Sequence, residues 1–132
     1  MKKEADTTLS FKFSKQERLS SKKMIDSLFM NGKSIFLYPY RIKYLPVTNE
    51  QTQNNQFLIS VPKKNFKKAV DRNLIKRRIK EAYRLNKGAY LNSQQTEKFL
   101  LIAYIYVAKD ILDYDLLESK LIETLKRLKV NI

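Results

Sequence analysis

Asn73, Lys76, Arg77, Lys80 and Arg84 recur at intervals of three and four residues, the spacing that brings side chains onto one face of an α-helix. Donors projecting from one rigid side suit a polyanion. Arginine offers a planar fork to phosphate, lysine a compact charge, and asparagine both donates and accepts at a base edge. The stripe belongs to a wider basic segment: from Lys63 to Lys87 there are eleven basic residues, among them Lys63, Lys64, Lys67, Lys68 and Arg72, against Asp71 and Glu81 alone. Ordinary solvated faces mix both signs, and like charges one turn apart repel unless something neutralises them. The pattern therefore points to nucleic acid. A helix lying on a membrane surface fits less well, because the apolar side of this segment is needed to cover strands.

Over its 132 residues the chain carries 27 Lys and Arg against 13 Asp and Glu, a net charge of +14, with neither His nor Cys. Thiol nucleophiles, disulfide frameworks, zinc sites and histidine general bases are thereby excluded. The acids are dispersed, Asp71 and Glu81 being about three helical turns apart, so a self-sufficient metal-dependent nuclease lacks converging ligands. Asp110, Asp113 and Asp115 fit a turn and a helix N-terminus, which favour Asp without any metal. The longest apolar run, Phe99 to Ala108, is about half of what a membrane-spanning helix needs. No apolar signal segment occupies residues 1–10, and a cytoplasmic location is the default expectation.

The elements that must position the stripe follow from periodicity. Ser14 and Glu17 have capping-box spacing, and a cap at Ser20 or Ser21 precedes a helix over about 21–31 whose Met24, Ile25, Leu28 and Phe29 share one side; Gly32 stops it. From Ile35 to Val47 aromatic and branched residues alternate as in a half-buried strand, begun after Pro39 in one reading, with Phe36, Tyr38, Tyr40 and Tyr44 taken as core and Arg41 and Lys43 on the other parity. An Asn/Gln-rich loop joins it to a short strand, Phe57 to Val61, expected to pair with it as an antiparallel hairpin. Asn65 can cap a helix from Phe66 to about Lys87, the firmest periodicity in the chain. Phe99 to Ala108 reads as a central strand covered on both faces, and Leu116 to Leu128 as a terminal amphipathic helix. The order is α-β-β-α-β-α. Residues 1–13 are expected to form a flexible basic N-terminal arm and residues 14–130 a single domain.

The run from Ala69 to Glu81, with Arg72-Asn73 followed by Lys76-Arg77 and Lys80-Glu81, resembles the signature helix of the bacterial ribonuclease P protein family. Arg18-Leu19, Leu28-Phe29 and Gly32 resemble that family's first helix, Ser60 to Lys64 its strand end before the signature, and Phe99 to Lys109 its last strand. One departure stands out: Leu74 occupies the third position of the Arg-Asn-Arg motif and removes a cation there.

The resemblance implies an α/β (α+β) two-layer sandwich with a left-handed β-α-β crossover around the basic helix, contrary to the general right-handed preference. It also implies a protein subunit of a ribonucleoprotein that removes 5′ leaders from precursor tRNA, one protein per RNA, with Mg²⁺ held mainly by the catalytic RNA subunit and its substrate. On this pattern Lys63, Lys64, Lys67, Lys68, Arg72, Asn73, Lys76, Arg77, Lys80 and Arg84 face RNA. Ile25, Phe29, Arg41 and Lys43 line a cleft for the single-stranded leader, where Ile25, in place of an aromatic, offers only apolar contact. Phe29 could equally be a core residue, and Arg41 and Lys43 plain solvated charges. The alternative reading is a structural or ribosomal RNA-binding protein with no processing role.

Overall fold

The computed structural model describes residues 13–48, 51–52, 54–91 and 98–131. A single 3₁₀ turn, Lys15–Glu17, leads into α1 (Lys22–Asn31); then come β1 (Lys33–Leu37), β2 (Tyr40–Thr48), β3 (Gln56–Ser60), α2 (Ala69–Tyr90), β4 (Lys98–Tyr106) and α3 (Tyr114–Asn131). The alternating segment before Val47 is thus a hairpin of two strands. The Tyr38-Pro39 dipeptide, whose peptide bond is cis, makes the turn between them, since proline cannot donate within a ladder.

The strands form one sheet in the order β1-β2-β4-β3, with β2 antiparallel to both neighbours and β3 parallel to β4. The expected hairpin between β2 and β3 does not form. β4 lies between them and pairs along its whole length with β2, Val47 opposite Phe99 and Tyr40 opposite Tyr106. A continuous apolar run buries on both faces, so the centre of the sheet is where it belongs.

Alternation sorts the side chains. Leu100, Ile102, Tyr104 and Tyr106 of β4 join Tyr40, Ile42 and Tyr44 of β2 in the main core beneath α2 and α3, while Leu101 and Ala103 join Val47, Leu19 and Leu28 beneath α1. The sandwich is built on the first face, and the short α1 covers part of the second.

Buried tyrosines lock α3 onto the sheet, each hydroxyl needing a partner once out of water. Tyr40 donates to the Leu117 carbonyl at 2.8 Å, Tyr106 to the Asp110 carbonyl at 2.6 Å, and Tyr104 shares a hydrogen bond with the Thr124 hydroxyl. Asn55 ties the far end of α2 to the sheet, donating to the Leu91 carbonyl at 3.0 Å and accepting from the Leu100 N–H at 2.8 Å.

α1 begins where its cap predicts: the Ser21 hydroxyl accepts from the Met24 N–H at 3.3 Å. α2 begins three residues later than Asn65 capping implies, with Lys68 at its N-cap and no side-chain cap bond. The Pro62 carbonyl accepts from the Asn65 and Phe66 N–H groups, turning the chain, and Phe66 is buried in the main core. Most of the expected N-terminal arm lies outside the described residues. Its last member, Phe13, belongs instead to the domain, packing edge-on against Phe57 and Tyr83 at centroid distances of 5.8 and 6.0 Å.

Candidate nucleic-acid interface

Ile75, Ile79, Ala82 and Tyr83 bury one side of α2, and the opposite side carries the basic stripe. Asn73, Lys76 and Arg77 are exposed and Lys80 half-buried. Among the described residues no carboxylate pairs with Lys76 or Arg77. Lys80 lies over the Phe13 ring, its Nζ 5.3 Å from the centroid, a cation–π contact that leaves the ammonium able to meet an anion.

Two of the expected contacts have other duties. Arg84 clasps Glu81 by a two-pronged bond, Nε to Oε1 at 3.0 Å and Nη2 to Oε2 at 2.7 Å. That hydrogen bonding holds the Glu81 carboxyl below its ordinary range and the Arg84 guanidinium above its own. Much of the Arg84 charge is thus spent within the helix. Arg72 donates from Nη1 to the carbonyls of Phe66 at 2.7 Å and Lys67 at 3.0 Å, bracing the loop that presents the exposed Lys63, Lys64, Lys67 and Lys68. Arg78, off the stripe, donates to the Leu112 carbonyl at 2.8 Å and ties α2 to the turn before α3. Leu74 is half-buried and shares a shallow depression with Arg77, Arg78 and Tyr114.

The second group lies on the other face of the sheet. Lys43 stands opposite Ala103 and Arg41 opposite Ile105, so both project on the side that α1 partly covers. Phe29 is 39% exposed and Ile25 half-buried against the cluster beneath α1. Phe29 is accordingly no interior phenylalanine, and Ile25 packs in part against that cluster. Loop and stripe are brought together on one side, and Phe29, Arg41 and Lys43 on the other.

Among the described residues no three carboxylates converge to hold a metal ion; Asp113 precedes α3 and Asp115 lies in its first turn, as expected for helix-start acids. No helix among the described residues is long and apolar enough to cross a membrane.

The model of the family described as ribonuclease P matches residues 13–129, nearly the whole described fold. The chain belongs to the ribonuclease P protein family. It is 35% identical over 125 residues to the ribonuclease P protein component of Porphyromonas gingivalis, covering 93% of this chain and 90% of that one. With the ribonuclease P protein component of Clostridium botulinum it shares 32% over 113 residues, 86% and 95% of the two chains. Among solved structures, the ribonuclease P protein of Thermotoga maritima superposes with a TM-score of 0.66 at 26% identity, over 84% of this chain and 96% of that one. That of Staphylococcus aureus gives 0.64 at 25%, over 86% and 96%.

Within this ribonuclease P fold, periodicity missed three surface residues. Phe36, counted with the core aromatics, is 55% exposed. The turn at Tyr38-Pro39 folds β1 back so that Phe36 stands opposite Arg41, whose guanidinium carbon lies 5.8 Å from the ring centroid. Tyr38 is likewise exposed at the turn itself, leaving only Tyr40 and Tyr44 of the stripe in the core. The X-Pro dipeptide was the available signal, since it marks a reversal that resets strand parity. Arg18 is the third. It is bridged to Phe57 at the sheet edge and brought near the stripe on α2, a juxtaposition no local pattern encodes.

Proposed function

We propose that the chain serves as the protein subunit of ribonuclease P. In this reading α2 and the lysine loop before it bind the catalytic RNA, one protein per RNA. The 5′ leader of precursor tRNA runs over the sheet face beside α1, against Phe29, Arg41 and Lys43. The RNA, with Mg²⁺ held mainly by it and its substrate, cleaves the phosphodiester in the cytoplasm, and the protein supplies position and charge neutralisation.

The observation that most supports this reading is the helix face bearing Asn73, Lys76 and Arg77, exposed and, among the described residues, without paired carboxylates on a chain matched by the ribonuclease P family model. Fixed cations at that spacing lower the repulsion between phosphates that must approach one another.

Reconstitution tests it. Precursor tRNA is incubated with carefully RNA-free protein, with the candidate RNA, and with both, across a Mg²⁺ titration. The expected outcome is no cleavage by protein alone and a lower Mg²⁺ requirement when it joins the RNA. Cleavage by the protein alone sinks the division of labour. Tight RNA binding with no effect on cleavage at any Mg²⁺ concentration returns the chain to the class of structural RNA-binding proteins.

A further inference from the structure

Between the outer edge of β3 and α2 lies a groove of about 570 Å³, within the roughly 300 to 1,000 Å³ typical of small-ligand sites. It sits at the sheet edge: Phe57 belongs to the main core and Ile59 packs against it, whereas Leu58 packs toward the cluster beneath α1. Its apolar lining is made by Phe13, Phe57, Leu58 and Ile59, and Arg18, Lys76, Arg77 and Lys80 stand around it with no acid in the lining.

The floor is also an open strand edge. The Leu19 N–H donates to the Phe57 carbonyl at 3.0 Å, in a single parallel bridge between Arg18 and Phe57, before the chain leaves for α1. Backbone groups along a strand alternate sides, so Ile59, two residues on, turns its N–H and C=O the same way. Among the described residues neither group finds a partner on that side. Exposed edges are normally paired, charged or covered; here an unpaired donor and acceptor face a cationic groove.

We propose that this groove takes one unstacked nucleotide of the RNA to which the protein binds. Phosphate meets Lys76, Arg77, Lys80 and Arg18. The ring rests on the apolar floor, and its edge meets the N–H and C=O of Ile59, every base carrying an adjacent donor and acceptor. Charge selects this occupant over an extended peptide: four cations with no acid among them suit a phosphodiester. The inference rests on the RNA-subunit reading and adds that the basic helix captures a base as well as neutralising backbone.

The test is nuclear magnetic resonance of the full chain titrated with adenosine 5′-monophosphate and, separately, with inorganic phosphate. The nucleotide is expected to shift the Ile59 amide together with those of Lys76 and Lys80, and phosphate to shift the rim alone. Identical responses to both, with Ile59 unmoved, overturn the proposal. So does a nucleotide response that appears only after residues 1–12 are deleted, because the groove then belongs to the chain's own N-terminus. Ile59→Pro removes the N–H at an edge position where proline is tolerated. It should weaken binding to the catalytic RNA by roughly tenfold, within the range one stacked base contributes, with the preference for leader-bearing over leaderless tRNA unchanged. Undiminished affinity in a variant of native circular dichroism counts against the subsite; if the variant does not fold, the wild-type titration decides. Normal reconstituted cleavage beside a silent groove removes only the subsite, whereas nucleotide capture without any support of cleavage removes the ribonuclease P subunit reading.

Discussion

The guanidinium of Arg72 holds the carbonyl of Phe66 at 2.7 Å, and that of Lys67 at 3.0 Å. In a helix running from Phe66 those carbonyls would accept from N–H groups four residues on. Captured by Arg72, they keep the preceding segment as a turn, so α2 starts at Ala69 and the loop lysines have a fixed departure point. Arg72→Lys keeps the charge and loses the fork. It should cost about 1 to 2 kcal/mol of stability, speed hydrogen exchange of the Asn65 and Phe66 amides, and weaken RNA binding nearly as much as Arg72→Gln. Full RNA affinity in the lysine variant would show that only the charge matters.

The stripe on α2 is tested by salt. Each phosphate neutralised releases counterions, roughly 0.7 to 0.9 in the slope of log affinity against log salt. Replacing Lys76, Arg77 and Lys80 by Gln together should reduce that slope by about 2 to 3 without unfolding the chain, since Lys76 and Arg77 are exposed and Lys80 is half-buried. A native circular dichroism spectrum with an unchanged slope would make the stripe a solvated face.

Legibility in the sequence followed the range of the interaction. The alternation of Ile75, Ile79, Ala82 and Tyr83 with Lys76, Arg77 and Lys80 is local, set by helical geometry, and both faces fall where the spacing places them. The partner of β3 was not legible. Alternation says which side of a strand is buried, not which strand lies beside it, and β4 enters between β2 and β3 only after the chain has returned through α2. Phe36 was misassigned because parity was carried through the Tyr38-Pro39 turn. The site divides likewise: Lys76 and Arg77 could be read from spacing, whereas the bracing role of Arg72 depends on carbonyls five and six residues back, off any helical repeat.

Gly32 ends α1 for want of space. Its φ of −74° is open to any residue, but a Cβ there would lie 2.4 Å from the Leu28 carbonyl oxygen and 3.0 Å from that of Tyr44. Gly32→Ala must therefore push α1 off β2. A loss of about 1 to 3 kcal/mol in denaturant unfolding is expected and, if Phe29 contacts the leader as proposed, weaker binding of leader-bearing substrate as the ring moves with the helix. An unaltered midpoint would mean that the junction yields freely.

Tyrosine titration reports the integrity of the main core. Burial pushes Tyr40, Tyr83, Tyr104 and Tyr106 above the ordinary phenol range, and Tyr114 up to about 12 with Glu118 nearby adding to the effect. With folded values raised above unfolded ones, their contribution is whole below about pH 10 and is lost as pH rises through the folded values. Five of the eight tyrosines should thus release their phenolate absorbance together with the loss of circular dichroism. Complete ionisation in a still-folded protein would contradict this packing.

Phe29 separates a leader contact from a packing role. At 39% exposure its truncation creates no sealed cavity, so Phe29→Ala should cost well under the roughly 3 to 5 kcal/mol of a buried phenylalanine. If the ring stacks on a leader base, affinity of the assembled enzyme for precursor tRNA should fall by about 1 to 3 kcal/mol, while mature tRNA, lacking the leader, binds as before. Phe36→Ala gives the companion measurement, because its ring faces Arg41 on the same side of the sheet. A leader that tracks toward the β1–β2 turn loses affinity there too, and only for substrates long enough to reach it. Shortening the leader one nucleotide at a time should therefore abolish the Phe36 effect before the Phe29 effect. Equal losses on leader-bearing and leaderless substrates, with a large drop in melting temperature, would assign Phe29 to the packing beneath α1 and leave the leader to Arg41 and Lys43.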